Sequence, residues 1–203
     1  MKKNKIRRLT RAAMMGAIAF VLMFFSFSVP VLSPFAEFDF SALPELIGGF
    51  ILGPVGAVEI IVIKLALKLV FKGSSSLMTG ELSNLLLSLA YVLPAVIYYR
   101  RHRDKKGAVI GIILGSVISV LVSIITNVFI IIPAFMYLYG MDWAAIIDIC
   151  ANVNPWIESI PTFVAFSVVP FNVISRVVTS LITVLLYKHI SKPLKKLILK
   201  EDK

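Results

Sequence analysis

Long apolar stretches separated by short polar segments make up most of the chain. A helix needs about 20 mostly apolar residues to cross the hydrocarbon core of a bilayer. The pattern predicts an all-α integral membrane bundle of six transmembrane helices, built as one domain over residues 1–203 with a basic tail at 190–203. The predicted helices are at about 8–29, 42–52, 54–71, 80–99, 107–139 and 161–189.

The second predicted helix is too short to span, since its 11 residues at 42–52 reach only about 17 Å. Gly53-Pro54 predicts a turn to the third helix, because proline is favoured just inside a helix start. An irregular loop at 31–41 precedes the short helix. Irregular backbone at membrane depth is tolerated only where it is buried or lines a cavity. We therefore expect a binding site here, open to the outside.

Composition and charge support a membrane protein. Hydrophobic residues make up 59% of the chain and charged residues 16%, and the mean hydropathy is +0.93. Seventeen of the 21 lysines and arginines fall in three clusters, at 2–11, 100–106 and 188–203. Basic segments next to apolar spans remain in the cytoplasm, so the net charge of +10 predicts membrane topology rather than nucleic-acid binding. With six crossings, both termini are cytoplasmic, the protein lies in the plasma membrane, and membrane lipid is one of its partners.

Several kinds of chemistry are not predicted. The sequence contains no G-x-x-x-x-G-K-[ST] phosphate loop and no H-E-x-x-H metal motif. His102 and His189 both fall in basic cytoplasmic segments, and the single cysteine, Cys150, cannot form an intrachain disulfide. We interpret Cys150 as a small apolar filler, and we predict no enzyme, no cofactor and no metal site.

Polar residues inside the spans point to function, because burying them in a membrane is unfavourable. Asn127 and Asn172 lie at similar predicted depth in the fifth and sixth helices. Their amides can hydrogen-bond a flat heterocycle without any charge. The alternative is that they bond each other or nearby backbone and hold the helices together.

Charged residues inside the spans have two interpretations as well. Arg176 falls one helical turn below Asn172 on the same face. Lys64 lies deep in the third helix, where it contacts either the ligand or an internal carboxylate. The candidate carboxylates are Glu45, Glu59 and Glu81.

Small residues on the first helix would let another helix approach closely. They form two strips, Ala12 with Gly16 and Ala13 with Ala17. Packing within the chain and docking of a separate membrane subunit are both open.

Four strings together resemble the riboflavin-specific S components of energy-coupling factor (ECF) transporters, the RibU type. They are DFSALPELIGGFILGPVGAVEIIVIKLALK, TGELSNLLLSLAYVLPA, ITNVFIIIP and VVPFN. The resemblance implies a six-helix vitamin-binding protein whose first external loop forms a lid over the ligand. Such a protein works with a transmembrane coupling subunit and two ATPase subunits. Ala13 and Ala17 match the docking motif of the family, and Asn127 and Asn172 match its flavin contacts. One departure is Ser175, which stands where the family often has lysine in P-F-N-x-x-K.

The functional hypothesis is a subunit that binds riboflavin outside and releases it inside when its ATPase partners reorient it, with FMN as a second candidate ligand. The alternatives are an S component for another vitamin and a self-sufficient secondary carrier. Beyond the two asparagines, the predicted ligand-binding residues are Phe35, Phe38, Asp39, Phe40, Lys64, Glu81, Ser175 and Arg176.

Overall fold

The computed structural model describes residues 2–29, 37–74 and 78–201. The helices are α1 Lys2–Phe24, α2 Ala42–Lys72, α3 Thr79–Arg101, α4 Lys105–Thr126, α5 Ile132–Tyr139, α6 Trp143–Ala151, α7 Ile160–Phe163 and α8 Val169–Glu201. A short antiparallel ribbon pairs β1 Phe27–Ser28 with β2 Glu37–Phe38. The prediction of an all-α fold is thus confirmed, with the ribbon as an addition.

Two π-helical turns join the later helices into rods. Asn127–Ile131 connects α4 to α5, and Val164–Val168 connects α7 to α8. Among the described residues, four helical stretches are long and apolar enough to cross a membrane, namely Ala42–Lys72, Thr79–Arg101, Lys105–Tyr139 and Ile160–Tyr187. The last rod continues as helix through the segment that we predicted as a separate tail.

The first helix is displaced from its predicted bounds of 8–29. α1 begins at Lys2 and ends at Phe24, because the chain leaves the helix to form the ribbon. There Phe27 pairs with Phe38, and Ser28 pairs with Glu37. The ribbon joins the end of α1 to the approach to α2.

Helix α2 is a hairpin of two arms, 42–52 and 54–72. Its backbone leaves the helical conformation at Gly53, whose φ of 81° lies in the left-handed region that favours glycine. A Cβ placed on Gly49 would lie 3.1 Å from the Cβ of Ala57, although eight residues of straight helix span about 12 Å. The chain therefore reverses where Gly53-Pro54 predicted a turn.

Helices α3 and α4 pack at very close range through small residues. These recur every four positions on the buried face of α4, at Gly107, Gly111, Gly115, Ser119 and Ser123. A Cβ on Gly111 would lie 2.6 Å from the carbonyl oxygen of Ala95 on α3, so any side chain there would force the backbones apart. The strip leads directly to Asn127, four residues beyond Ser123, and this packing fixes where Asn127 enters the bundle.

A smaller core lies around α6. The helix begins after Asp142, whose carboxylate accepts a hydrogen bond from the first turn at 2.8 Å. Cys150 packs there with Ile132 and Phe163 and is only 1% exposed. Burial raises the pKa of its thiol to about 11, so the reactive thiolate is scarce at neutral pH.

Candidate functional site

A cavity of about 490 Å³ opens at one end of the bundle. Its walls come from the ends of α1 and α2, the start of α3, the first π-helical turn with α5, and the start of α8. The basic segments 2–11 and 100–106 lie at the opposite ends of these helices. Six predicted ligand residues line this single cavity, namely Asp39, Glu81, Asn127, Asn172, Ser175 and Arg176.

The two asparagines present the same chemistry to the cavity. Asn127 donates from Nδ2 to the carbonyl oxygen of Ser123, and Asn172 donates from Nδ2 to that of Val168, both at 2.9 Å. Each amide is thereby held by the preceding turn of its own helix rather than by the other asparagine. Among the described residues, neither Oδ1 has a hydrogen-bond donor, so both remain able to accept from a ligand.

Proline gives a local reason for the π-helical turns beside these asparagines. Each turn ends two residues before a proline, Pro133 in the first rod and Pro170 in the second. Proline lacks an N–H and its ring clashes with the carbonyl four residues earlier. One wider turn relieves that clash, and such turns are frequent at functional sites. The first turn begins at Asn127 itself, and Asn172 follows two residues after Pro170.

The structure gives Lys64 an internal ion pair rather than a position in the cavity wall. Lys64 does not line the cavity. It is fully buried and lies 2.5 Å from Glu45. Glu81 does line the cavity and pairs with Lys68 at 2.7 Å. Of the three carboxylates considered for Lys64, the hairpin thus brings Glu45 to it. The third, Glu59, pairs instead with an arginine of α1 at 2.6 Å.

Phe38 and Phe40, which precede α2, do not take the positions expected of a lid that stacks on the ligand. Phe38 is buried against Phe27 and Phe40, with ring centroids 5.0 Å from each, and neither Phe38 nor Phe40 lines the cavity. The reason is the ribbon, which directs these rings into a cluster of their own. Asp39 does line the cavity, and its carboxylate accepts a hydrogen bond from the backbone N–H of Ser41 at 2.7 Å. Phe35 lies outside the described residues.

The two small-residue strips of α1 face different ways. Ala12 and Gly16 are buried, and a Cβ on Gly16 would lie 2.7 Å from the side chain of Ile63 in the α2 hairpin. Ala13 and Ala17 are exposed. Internal packing therefore uses the first strip and leaves the second on the surface.

Sequence reasoning missed part of the lining. The additional polar residues are Glu37, Ser41, Lys68, Lys72, Ser83, Asn84 and Ser88, and the apolar wall includes Phe20, Phe24, Phe135 and Phe171. One signal was visible, since Glu81, Asn84 and Ser88 recur at helical spacing in an otherwise apolar segment. The phenylalanines gave no comparable signal among so many apolar neighbours.

Comparisons with known proteins agree with this architecture. The model of the family "ECF transporter, substrate-specific component" matches residues 7–187. The Riboflavin transporter RibU of Staphylococcus aureus (strain TCH60) is 32% identical over 97% of this chain and 96% of its own length. The Riboflavin transporter FmnP of Bacillus subtilis (strain 168) is 27% identical over 90% of this chain and 91% of its own length.

A solved structure gives the same result in three dimensions. The chain described under "Structure and mechanism of the S component of a bacterial ECF transporter" superposes with a TM-score of 0.72 at 30% identity. The match covers 94% of this chain and 99% of that chain. The resemblance carried by the four sequence strings is thereby confirmed.

Proposed function

This chain belongs to the substrate-specific components of ECF transporters, which are non-enzymatic subunits of multi-pass membrane transporters, and we propose that its ligand is riboflavin. The observation that carries the proposal is the pair of Oδ1 acceptors on Asn127 and Asn172 in one cavity of about 490 Å³. This volume falls within the range of about 300–1,000 Å³ common for small-molecule sites. Two amide acceptors beside phenyl walls suit a flat heteroaromatic ring with a polar edge. Riboflavin offers them the N3–H donor of its isoalloxazine ring and the hydroxyl donors of its ribityl chain.

The charge balance of the lining supports a neutral ligand. Three acidic residues (Glu37, Asp39 and Glu81) and three basic residues (Lys68, Lys72 and Arg176) line the cavity. Riboflavin carries no net charge at neutral pH and leaves that balance intact. The names of the relatives, riboflavin transporters at 27% and 32% identity, favour the same ligand.

We place the cavity on the outer side of a six-crossing bundle whose termini are cytoplasmic. The basic segments at the opposite end support this orientation, because lysine and arginine resist translocation. Uptake then requires a transmembrane coupling subunit and two ATPase subunits. The exposed Ala13 and Ala17 offer a flat strip on which the coupling subunit docks.

Titration of the purified chain tests the ligand. Riboflavin is added while the fluorescence of Trp143 and Trp156 is followed, with FMN titrated in parallel. We expect saturable quenching by riboflavin, and its absence would refute the proposal. Asn172→Ala should weaken binding by about 1–3 kcal/mol, which is about 5- to 150-fold in Kd. The matched control is Asn152→Ala, an exposed asparagine outside the cavity, which should bind as the unchanged chain does.

A further inference from the structure

Arg176 is a cation of the cavity wall. It lines the cavity one turn beyond Asn172. Its Nε atom is shielded from solvent and has no hydrogen-bond partner among the described residues. Within the part of the chain that the structure describes, no carboxylate lies within ion-pair distance of its guanidinium. A partly buried guanidinium is unfavourable unless something accepts its N–H groups. A group that accepts hydrogen bonds would therefore stabilise Arg176 at this position.

The guanidinium group of Arg176 contacts the face of the Tyr91 ring. The guanidinium carbon of Arg176 lies 4.6 Å from the centroid of the ring, within the range of a cation–π contact. Tyr91 is fully buried and does not line the cavity. It follows the lining residues Leu87 and Ser88 on α3, so it forms the layer directly beneath the cavity floor.

Two further contacts fix the ring of Tyr91. Its hydroxyl lies 3.0 Å from the Ser180 hydroxyl of α8, and Ser180 lies 3.3 Å from the Ser116 hydroxyl of α4. The backbone of Tyr91 also lies directly against Gly115. Helices α3, α4 and α8 therefore meet at Tyr91, and the hydroxyl contact with Ser180 orients its ring beside the cation.

We propose that Arg176 binds the ligand by donating hydrogen bonds to carbonyl oxygens or unprotonated ring nitrogens on the ligand edge, and that Tyr91 is its positioning residue. The proposal rests on the proposed function, because it assigns these roles for the same ligand in the same cavity. Arg176 and the two asparagines would contact different groups of the ligand, because their side chains differ in hydrogen-bonding capacity. Arginine only donates, while the free Oδ1 atoms of Asn127 and Asn172 only accept.

The test measures riboflavin affinity for Arg176→Met, Tyr91→Phe, Tyr91→Leu and the double variant Arg176→Met/Tyr91→Leu. Arg176→Met should weaken binding by about 10- to 100-fold, as expected for lost charge-assisted hydrogen bonds. Tyr91→Phe keeps the ring and should stay within about threefold of the unchanged chain. Tyr91→Leu removes the cation–π face and should weaken binding by about tenfold. The double variant should bind no more weakly than Arg176→Met alone.

Tyr99→Leu is the matched control. Tyr99 lies two turns further along α3, is 1% exposed, and shares a 3.0 Å hydroxyl contact with Tyr187 of α8, but it does not line or touch the cavity. Tyr99→Leu should lower the melting temperature. Combined with Arg176→Met, its effect on riboflavin affinity should be additive, whereas the effect of Tyr91→Leu should not.

The outcomes separate the two proposals. Additive effects of Tyr91→Leu and Arg176→Met, or full affinity in Arg176→Met, would overturn the inference while riboflavin binding by the unchanged chain still stands. Should Tyr91→Leu fail to fold, Arg176→Met and Tyr91→Phe decide alone. Riboflavin affinity must then fall in the first variant and persist in the second. An unchanged chain that binds no riboflavin overturns the proposed function and the inference together.

Discussion

The Nζ atom of Lys64 lies 2.5 Å from Oε1 of Glu45, and neither side chain is exposed to solvent. The two residues come from opposite arms of the α2 hairpin. Lys64 also donates to the Asn84 side chain at 2.7 Å and to the Ser41 hydroxyl at 3.2 Å. Both acceptors line the cavity, so this ion pair connects the hairpin, α3 and the cavity wall.

Removal of Lys64 should destabilise the chain strongly. Lys64→Met leaves the Glu45 carboxylate buried without its cation, and breaking a buried pair in this way lowers the free energy of unfolding by about 3–5 kcal/mol. Thermal unfolding in detergent measures the loss. Adding Glu45→Gln to Lys64→Met should recover part of the stability, because the uncompensated charge is then gone.

Lys72→Met is the control for that experiment, since Lys72 is exposed on the same helix. It should leave the melting temperature nearly unchanged. Equal melting temperatures for Lys64→Met and Lys72→Met would show that the buried pair does not hold the hairpin.

Gly115 should tolerate no side chain. Its Cβ would collide with the backbone carbonyl of Tyr91, and backbone cannot move aside as a flexible side chain can. Gly115→Ala should therefore lower the free energy of unfolding by about 1–3 kcal/mol, as overpacking does, measured by thermal unfolding in detergent. Val117→Ile adds one carbon on the exposed face of the same helix, where Val117 is 55% exposed. A melting temperature for Gly115→Ala as high as that of Val117→Ile would contradict the close packing of α3 and α4.

The sequence was sufficient for features that depend on chain geometry alone. Residue counting along the apolar stretches predicted a similar depth for Asn127 and Asn172, because a helix rises by a fixed amount per residue, and both residues line one cavity. Gly53-Pro54 predicted a turn from backbone preferences, and the chain does reverse there. These inferences need no knowledge of which helices are neighbours.

Features that depend on neighbours could not be predicted. The choice of Glu45 over Glu59 and Glu81 for Lys64 follows from how the hairpin arms face each other. The ribbon that buries Phe38 needs residues on both sides of a loop to meet. Likewise, the small residues of α4 recur visibly in the sequence, but only the structure shows that α3 lies against them.

Cys150 should react slowly while the chain is folded. Burial raises the pKa of its thiol to about 11, so alkylation by iodoacetamide at pH 8 should be slow and should accelerate on unfolding. The unfolded thiol titrates near pH 8.5, so the unfolded state loses its proton first. Between about pH 8.5 and 11 this group therefore makes stability fall as the pH rises.

An exposed thiol on the same chain provides the comparison. Val153→Cys in a Cys150→Ala background places a cysteine three residues away, where Val153 is 37% exposed. It should be alkylated much faster at pH 8, as read by mass spectrometry. Equal rates for this variant and the unchanged chain would mean that Cys150 is accessible.

Larger side chains on the exposed strip of α1 should abolish uptake but leave riboflavin binding unchanged. Ala13 and Ala17 are exposed, so Ala13→Leu/Ala17→Leu should preserve the melting temperature and riboflavin affinity. The same variant should abolish uptake by the full complex and co-purification with the coupling subunit, because leucines prevent close helix approach. Leu121→Trp, at a position of α4 that is 58% exposed, should leave uptake intact. Undiminished uptake by the double-leucine variant would exclude this strip as the docking site.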